Sequence, residues 1–143
     1  MPIRSAKAVW DGSIGQGTGK MMMASGAYEG PFSVGSRFEE EAGTNPEELI
    51  AAAHAGRFSM ALSSGLTQNG TPPDQIRTEA KVHIEKLDEG WRITEIELFT
   101  EAEVPGVDEA SFMEKAEAAK AGCPISNALA AVPKITLQAT LLS

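Results

Sequence analysis

Four side chains in this 143-residue sequence stand out for the chemistry they could do: Arg37, Glu47, Arg57 and the single cysteine, Cys123. One cysteine rules out an intramolecular disulfide and any multi-cysteine metal site. It directly precedes Pro124, at the expected N-cap of a short helix, where free N–H groups and the helix dipole favour a thiolate. A buried, inert small hydrophobe is the other reading, and both stay open at this point. Arg37, taken alone, reads as a surface arginine on a strand ahead of an acidic run. Glu47 sits where a carboxylate complements the positive end of a helix dipole. Arg57 has Ala53, His54, Met60 and Ala61 one turn away, a small and apolar face. A guanidinium cannot shed its proton, so Arg57 has to reach a carboxylate, a carbonyl or water. Glu47 lies about 15 Å away along a helix axis, so a partner from another segment or subunit is expected.

The two histidines do less. His54 precedes Arg57 by one turn, on a similar face, and reads as a hydrogen-bonded core residue. His83 falls on the wet side of an alternating strand. Without a nearby cysteine the pair argues against zinc, so neither metal nor cofactor is expected. The run Met21-Met22-Met23 reads as strand packing.

The elements that position these residues follow from period and punctuation. Lys7–Trp10, Thr18–Ser25 and Phe32–Glu39 read as three short strands joined by glycine-rich turns. Asn45-Pro46-Glu47-Glu48 is a helix start: Asn45 caps, Pro46 fits the first helical position, and the acids face the dipole. Glu48, three residues after Asn45, suits the reciprocal capping role. The helix runs on through Leu66, with small and apolar residues all round, which predicts burial on most sides. Beyond Pro72-Pro73 the period drops to two. Ala80, Val82 and Ile84, then Ile96, Leu98, Thr100, Ala102 and Val104, make a long hairpin with one acidic, wet face. Asp108 caps a second helix to Gly122, Pro124–Ala131 reads as a third, and Ile135–Leu141 as a closing strand. The sum is one α+β domain spanning residues 1–143, with helices on one face of antiparallel sheet. One sheet in a chain this short cannot cover an all-round apolar helix, so a homodimer is expected.

Composition sets limits. Lys and Arg total 12 against 20 Asp and Glu, a net charge of -8, which makes nucleic acid an unfavourable partner. The longest mostly apolar run, Leu49 to Leu62, is too short for a bilayer and contains His54 and Arg57. The N-terminal stretch has no apolar segment of the secretory type. The expectation is a cytoplasmic protein with no membrane partner.

Several stretches resemble the OsmC/Ohr family, the osmotically induced and organic hydroperoxide resistance proteins. They are SRFEE (Ser36 to Glu40), GTNPEELI (Gly43 to Ile50), His54-Ala55 with FSMAL (to Leu62), EVPGVD (Glu103 to Asp108) and AGCPIS (Ala121 to Ser126). They fall in the family's order, closer to its OsmC branch. The resemblance implies an OsmC-like fold, in which antiparallel sheets wrap long central helices in an intertwined homodimer. It also implies a thiol peroxidase acting on organic hydroperoxides. In such an enzyme one cysteine thiolate attacks the peroxide and becomes a sulfenic acid, a second resolves it as a disulfide, and an external dithiol reduces that. Carried over by motif, Arg37 lowers the thiolate's pKa, Glu47 holds the Arg37 fork, and Cys123 is the resolving cysteine. The attacking cysteine's position holds Arg57. A guanidinium cannot become a sulfenate, so the two-cysteine cycle cannot run in this chain. The resemblance therefore leaves two roles: a hydroperoxide reductase by descent that is impaired at the chemical step, or a non-catalytic binding protein for lipid-like anionic or peroxide ligands.

Overall fold

The computed structural model describes residues 2–38 and 43–143, the side chains of Arg37 and Phe38 excepted. The chain divides into two compact units, Met1–Leu49 and Ile50–Ser143.

In the first unit, β1 (Ala6–Asp11), β2 (Thr18–Met23) and β3 (Glu29–Phe32) form an antiparallel sheet in the order β1-β2-β3. Gly19 pairs with Trp10 on one side and Phe32 on the other. Those two rings pack with centroids 5.5 Å apart across it. A Cβ on Gly19 would come within 2.5 Å of the Phe32 ring, so the ring pair depends on glycine here.

The strand expected over Phe32–Glu39 ends at Phe32, and the chain enters α1 (Val34–Phe38). The cause is local. The Ser36 N–H donates to Ser33 Oγ at 3.1 Å, and the Ser33 N–H donates to Ser36 Oγ at 2.8 Å. This is a reciprocal cap in which serine replaces the usual Glu or Gln. It satisfies two helix-start donors that a strand would have needed a neighbour to satisfy. Arg37 is therefore on a helix, not a strand. Glu39 and Glu40, the end of the SRFEE stretch, lie outside the described residues.

α2 (Pro46–Gln68) starts as expected, with the Glu48 N–H donating to Asn45 Oδ1 at 2.7 Å. The Glu48 carboxylate does not reach back to the cap backbone as expected. It accepts instead from the Thr44 hydroxyl at 2.7 Å, a nearer donor on the approaching chain.

The second unit holds the rest of α2, then β4 (Gln75–Leu87), β5 (Gly90–Glu103), α3 (Glu109–Gly122), α4 (Pro124–Ala128) and β6 (Lys134–Leu141). Asp108 caps α3 through the Ser111 N–H at 2.7 Å. β4 and β5 make the long antiparallel hairpin, but β6 pairs with β5 in parallel, from Glu95↔Lys134 to Ala102↔Leu141. The sheet is thus mixed rather than antiparallel. α3 and α4 carry the chain back before β6 begins, the crossover a parallel neighbour requires. The hairpin's alternation slips once. His83 pairs with Glu95 and Ile84 with Ile93, which leaves Thr94 as an extra residue in a bulge. The inward phase passes there from even-numbered to odd-numbered residues of β5.

Phe58, Leu62 and Leu66 of α2 pack with Leu98, Ala102 and Val104 and with Phe112, Ala116 and Ala119 of α3 as the core. Within one chain α2 is not covered all round. It buries His54, Phe58, Leu62 and Leu66, one stripe at every fourth residue, and leaves Ala53, Gly56, Arg57, Met60 and Ser64 exposed.

Candidate functional site

The outer side of α2 and the facing side of α3 line a groove of about 480 Å³. Arg57, Met60, Ser64 and Gln68 contribute from α2, and Lys115, Ala118 and Ala119 from α3. Gly122 and Pro124, the two neighbours of Cys123, close one end. Arg57 is exposed, and its Nη1 lies 3.9 Å from Met60 Sδ. The buried setting expected for its face does not apply within one chain, so the guanidinium keeps access to water.

Cys123 ends one helix and begins the next. Its N–H donates to the Ala119 carbonyl at 2.9 Å, and its carbonyl accepts from the Asn127 N–H at 3.0 Å. The N-cap position is the one expected, yet the thiol is fully buried and caps nothing. The groove therefore brings Arg57 together with the flanks of Cys123, while the sulfur lies beneath the surface.

Behind Arg57 sits His54, wholly buried, with Nε2 2.7 Å from Ser126 Oγ. Its Nδ1 is buried without a hydrogen-bond partner. An unpaired lone pair costs less than an unpaired N–H, so the proton belongs on Nε2, donating to the serine. Burial lowers the pKa of His54 below its ordinary 6.5, which keeps the ring neutral. This bond ties α2 to α4 immediately after Cys123. His54 and Arg57 do not share a face: three residues turn a helix by about 300°, enough to put one inside and the other in solvent.

A hydroxyl network under α2 escaped the sequence reading. Ser59 Oγ lies 2.9 Å from the Ala55 carbonyl and 2.7 Å from Thr78 Oγ1. Thr78 and Thr100 meet at 2.9 Å across the hairpin, and Thr100 donates to the Arg77 carbonyl at 3.2 Å. The signal for it was two threonines in the inward phase of alternating strands, where apolar residues are the rule.

Glu47 occupies the first turn of α2, half-buried, and Arg37 lies on α1. Both belong to the first unit, and their pairing falls outside the described side chains. Among the described residues, no three His, Cys, Asp or Glu side chains gather as a metal site. Nor, among the described residues, is any helix long and apolar enough to cross a membrane.

The family model described as OsmC-like protein matches residues 39–138. The chain is 46% identical to Peroxiredoxin OsmC of Escherichia coli K12 over 141 residues, covering 98% of this chain and 97% of the relative. The chain belongs to the OsmC family. A more distant relationship within it is 33% identity over 96 residues, 66% of each chain, to an organic hydroperoxide resistance protein of Xanthomonas axonopodis pv. citri. The fold is that of OsmC-family structures. A crystal structure of an OsmC-like protein from Mycoplasma pneumoniae superposes with a TM-score of 0.79 over 99% of each chain, at 14% identity. The stretch matched to the family contains Glu47, Arg57 and Cys123, and it begins just after Arg37.

Proposed function

We propose that this OsmC-family chain belongs to the cytoplasmic defence against organic hydroperoxides and osmotic stress, as a homodimer whose peroxide-reducing step is impaired. Its relatives support the first part, one being named a peroxiredoxin and another an organic hydroperoxide resistance protein. The observation that carries the second part is Arg57, on the groove that ends at the neighbours of Cys123. A cation there takes the place of the attacking thiolate, and one buried cysteine cannot perform both halves of a two-thiol cycle. Arg37 would orient or polarise the peroxide, with Glu47 holding its guanidinium fork. Cys123 would resolve, and an external dithiol would restore the pair. The exposed small residues of α2, Ala53 and Gly56 with Met60, favour close approach of a second copy.

The test is Arg57→Cys. In that variant the thiolate takes the distal oxygen of tert-butyl hydroperoxide, leaving tert-butanol and a sulfenic acid. The Cys123 thiol then displaces water to form a disulfide, which dithiothreitol reduces. The expected result is steady peroxide consumption far above that of the parent chain, with loss of two hydrogens after one equivalent of peroxide. A folded variant that consumes no peroxide, or a parent chain that turns over equally fast, overturns the proposal. Light scattering that finds a 15.1 kDa monomer in dilute buffer overturns the dimer.

A further inference from the structure

We infer that His54 and Ser126 are positioning residues, whose hydrogen bond sets how Cys123 stands to the side chain at position 57. The bond, at 2.7 Å, lies one turn before residue 57 on α2 and one turn after Cys123 on α4. It therefore ties together the two helices that a two-thiol reaction must hold in register, close to both reacting positions. Arg57 and the two chain neighbours of Cys123 line one groove, which puts both ends of that reaction at one place. The inference rests on the peroxide reading, in which position 57 is the place of the attacking thiol and Cys123 is the resolving one.

Packing alone does not explain the histidine. It occupies a stripe otherwise made of Phe58, Leu62 and Leu66, all wholly buried. An apolar side chain there would desolvate nothing polar, whereas the ring buries Nδ1 with no hydrogen-bond partner. Against that cost stands one bond, to Ser126. Apolar packing fills volume and tolerates sliding, but a hydrogen bond fixes a distance and a direction. Position 57 is held from its other side as well. Ser59, two residues on, lies 2.7 Å from Thr78 Oγ1 on β4. α2 is thus pinned to α4 just before residue 57 and to the hairpin just after it. On α4 the Cys123 carbonyl accepts from the Asn127 N–H at 3.0 Å, so Cys123 and Ser126 belong to one turn and move together. Attack of the Cys123 thiol on a sulfenic acid at position 57 forms the S–S bond, breaks the S–O bond and releases water. That step needs the two sulfurs aligned, and this bond is the described link that aligns their helices.

Equilibration of the Arg57→Cys chain with glutathione tests this without peroxide. Glutathione disulfide takes two hydrogens from the introduced thiol and Cys123, giving their disulfide and two glutathione thiols. The equilibrium constant is the effective concentration of one protein thiol at the other. Adding Ser126→Ala is expected to lower it about tenfold, in line with the loss of one hydrogen bond. His54→Leu, which fills the space without a donor, is expected to do the same. Ser126→Thr keeps the hydroxyl and His54→Gln keeps an N–H at similar reach, so each stays within about threefold. Val104→Ala, a core truncation just ahead of α3, lowers the melting temperature yet leaves the effective concentration within about twofold. Circular dichroism establishes that each chain is folded at the temperature used. Three results overturn the positioning role: an effective concentration unchanged in a folded Ser126→Ala or His54→Leu chain, an equal fall in Val104→Ala, or no disulfide at any glutathione ratio. Failure of the peroxide reading is separate. An Arg57→Cys chain that shows the tenfold effect but consumes no peroxide loses that reading and keeps the positioning.

Discussion

The two sides of α2 divide the labour of the chain. The inner side presents His54, Phe58, Leu62 and Leu66 at a strict four-residue spacing, all wholly buried. The outer side, offset by only three residues, presents Arg57, Met60 and Ser64 to the groove. One side is held by packing and tolerates little change. The other is open, charged and free to vary without disturbing the core. A charged side chain at position 57 is thus compatible with the core of this chain, because the position is exposed in it.

Truncation on each side breaks this comparison most directly. Phe58→Ala empties the centre of the core and is expected to cost about 3–5 kcal/mol in urea unfolding. Met60→Ala, two residues on and outside this chain's core, removes only what a second copy packs there and should cost less, about 1 kcal/mol. Comparable losses at the two positions would mean that the second copy buries the outer side as fully as the core buries Phe58.

A smaller effect sharpens the same contrast at the helix's polar residue. Ser126→Ala leaves His54 with neither ring nitrogen partnered, and the expected loss is about 1–3 kcal/mol. The pH dependence has a defined sign. His54 has its folded pKa lowered, so the unfolded chain takes up the proton first as pH falls. Its contribution is complete above about pH 6.5 and is lost as pH drops through that value toward the folded pKa. Melting temperatures followed from pH 7.5 to 5.5 should decline, and His54→Gln should flatten the decline. A slope unchanged in that variant would assign it to other groups.

Much of this was legible from local rules. The Asn45-Pro46 start of α2 and the Asp108 cap of α3 depend on residues within one turn, and both stand as the sequence implied. Period-two alternation located the hairpin and its buried side. The α1 turn was missed because Ser33 and Ser36 are weak signals singly and act only as a reciprocal pair. Helical phase was judged too coarsely at His54 and Arg57, where a difference of about 60° separates core from solvent. The His54–Ser126 bond joins residues 72 apart in sequence, and nothing at either position announces the other. The parallel docking of β6 was equally hidden, since strand direction depends on where α3 and α4 deliver the chain. The chemistry expected at position 57 could be read only by resemblance; the groove that Arg57 lines together with residues of α3 required three dimensions.

The bulge at Thr94 has a consequence for how this hairpin can change. Every other residue from Gly90 to Glu103 has a partner on β4, and Thr94 alone has none in the ladder, though its hydroxyl donates to Glu85. It is a spare link. Removing it would preserve each existing pairing while straightening the arm, so the heading on which Leu87 and Trp91 are carried outward can be retuned by a single deletion, with Ile96 and Leu98 left in step.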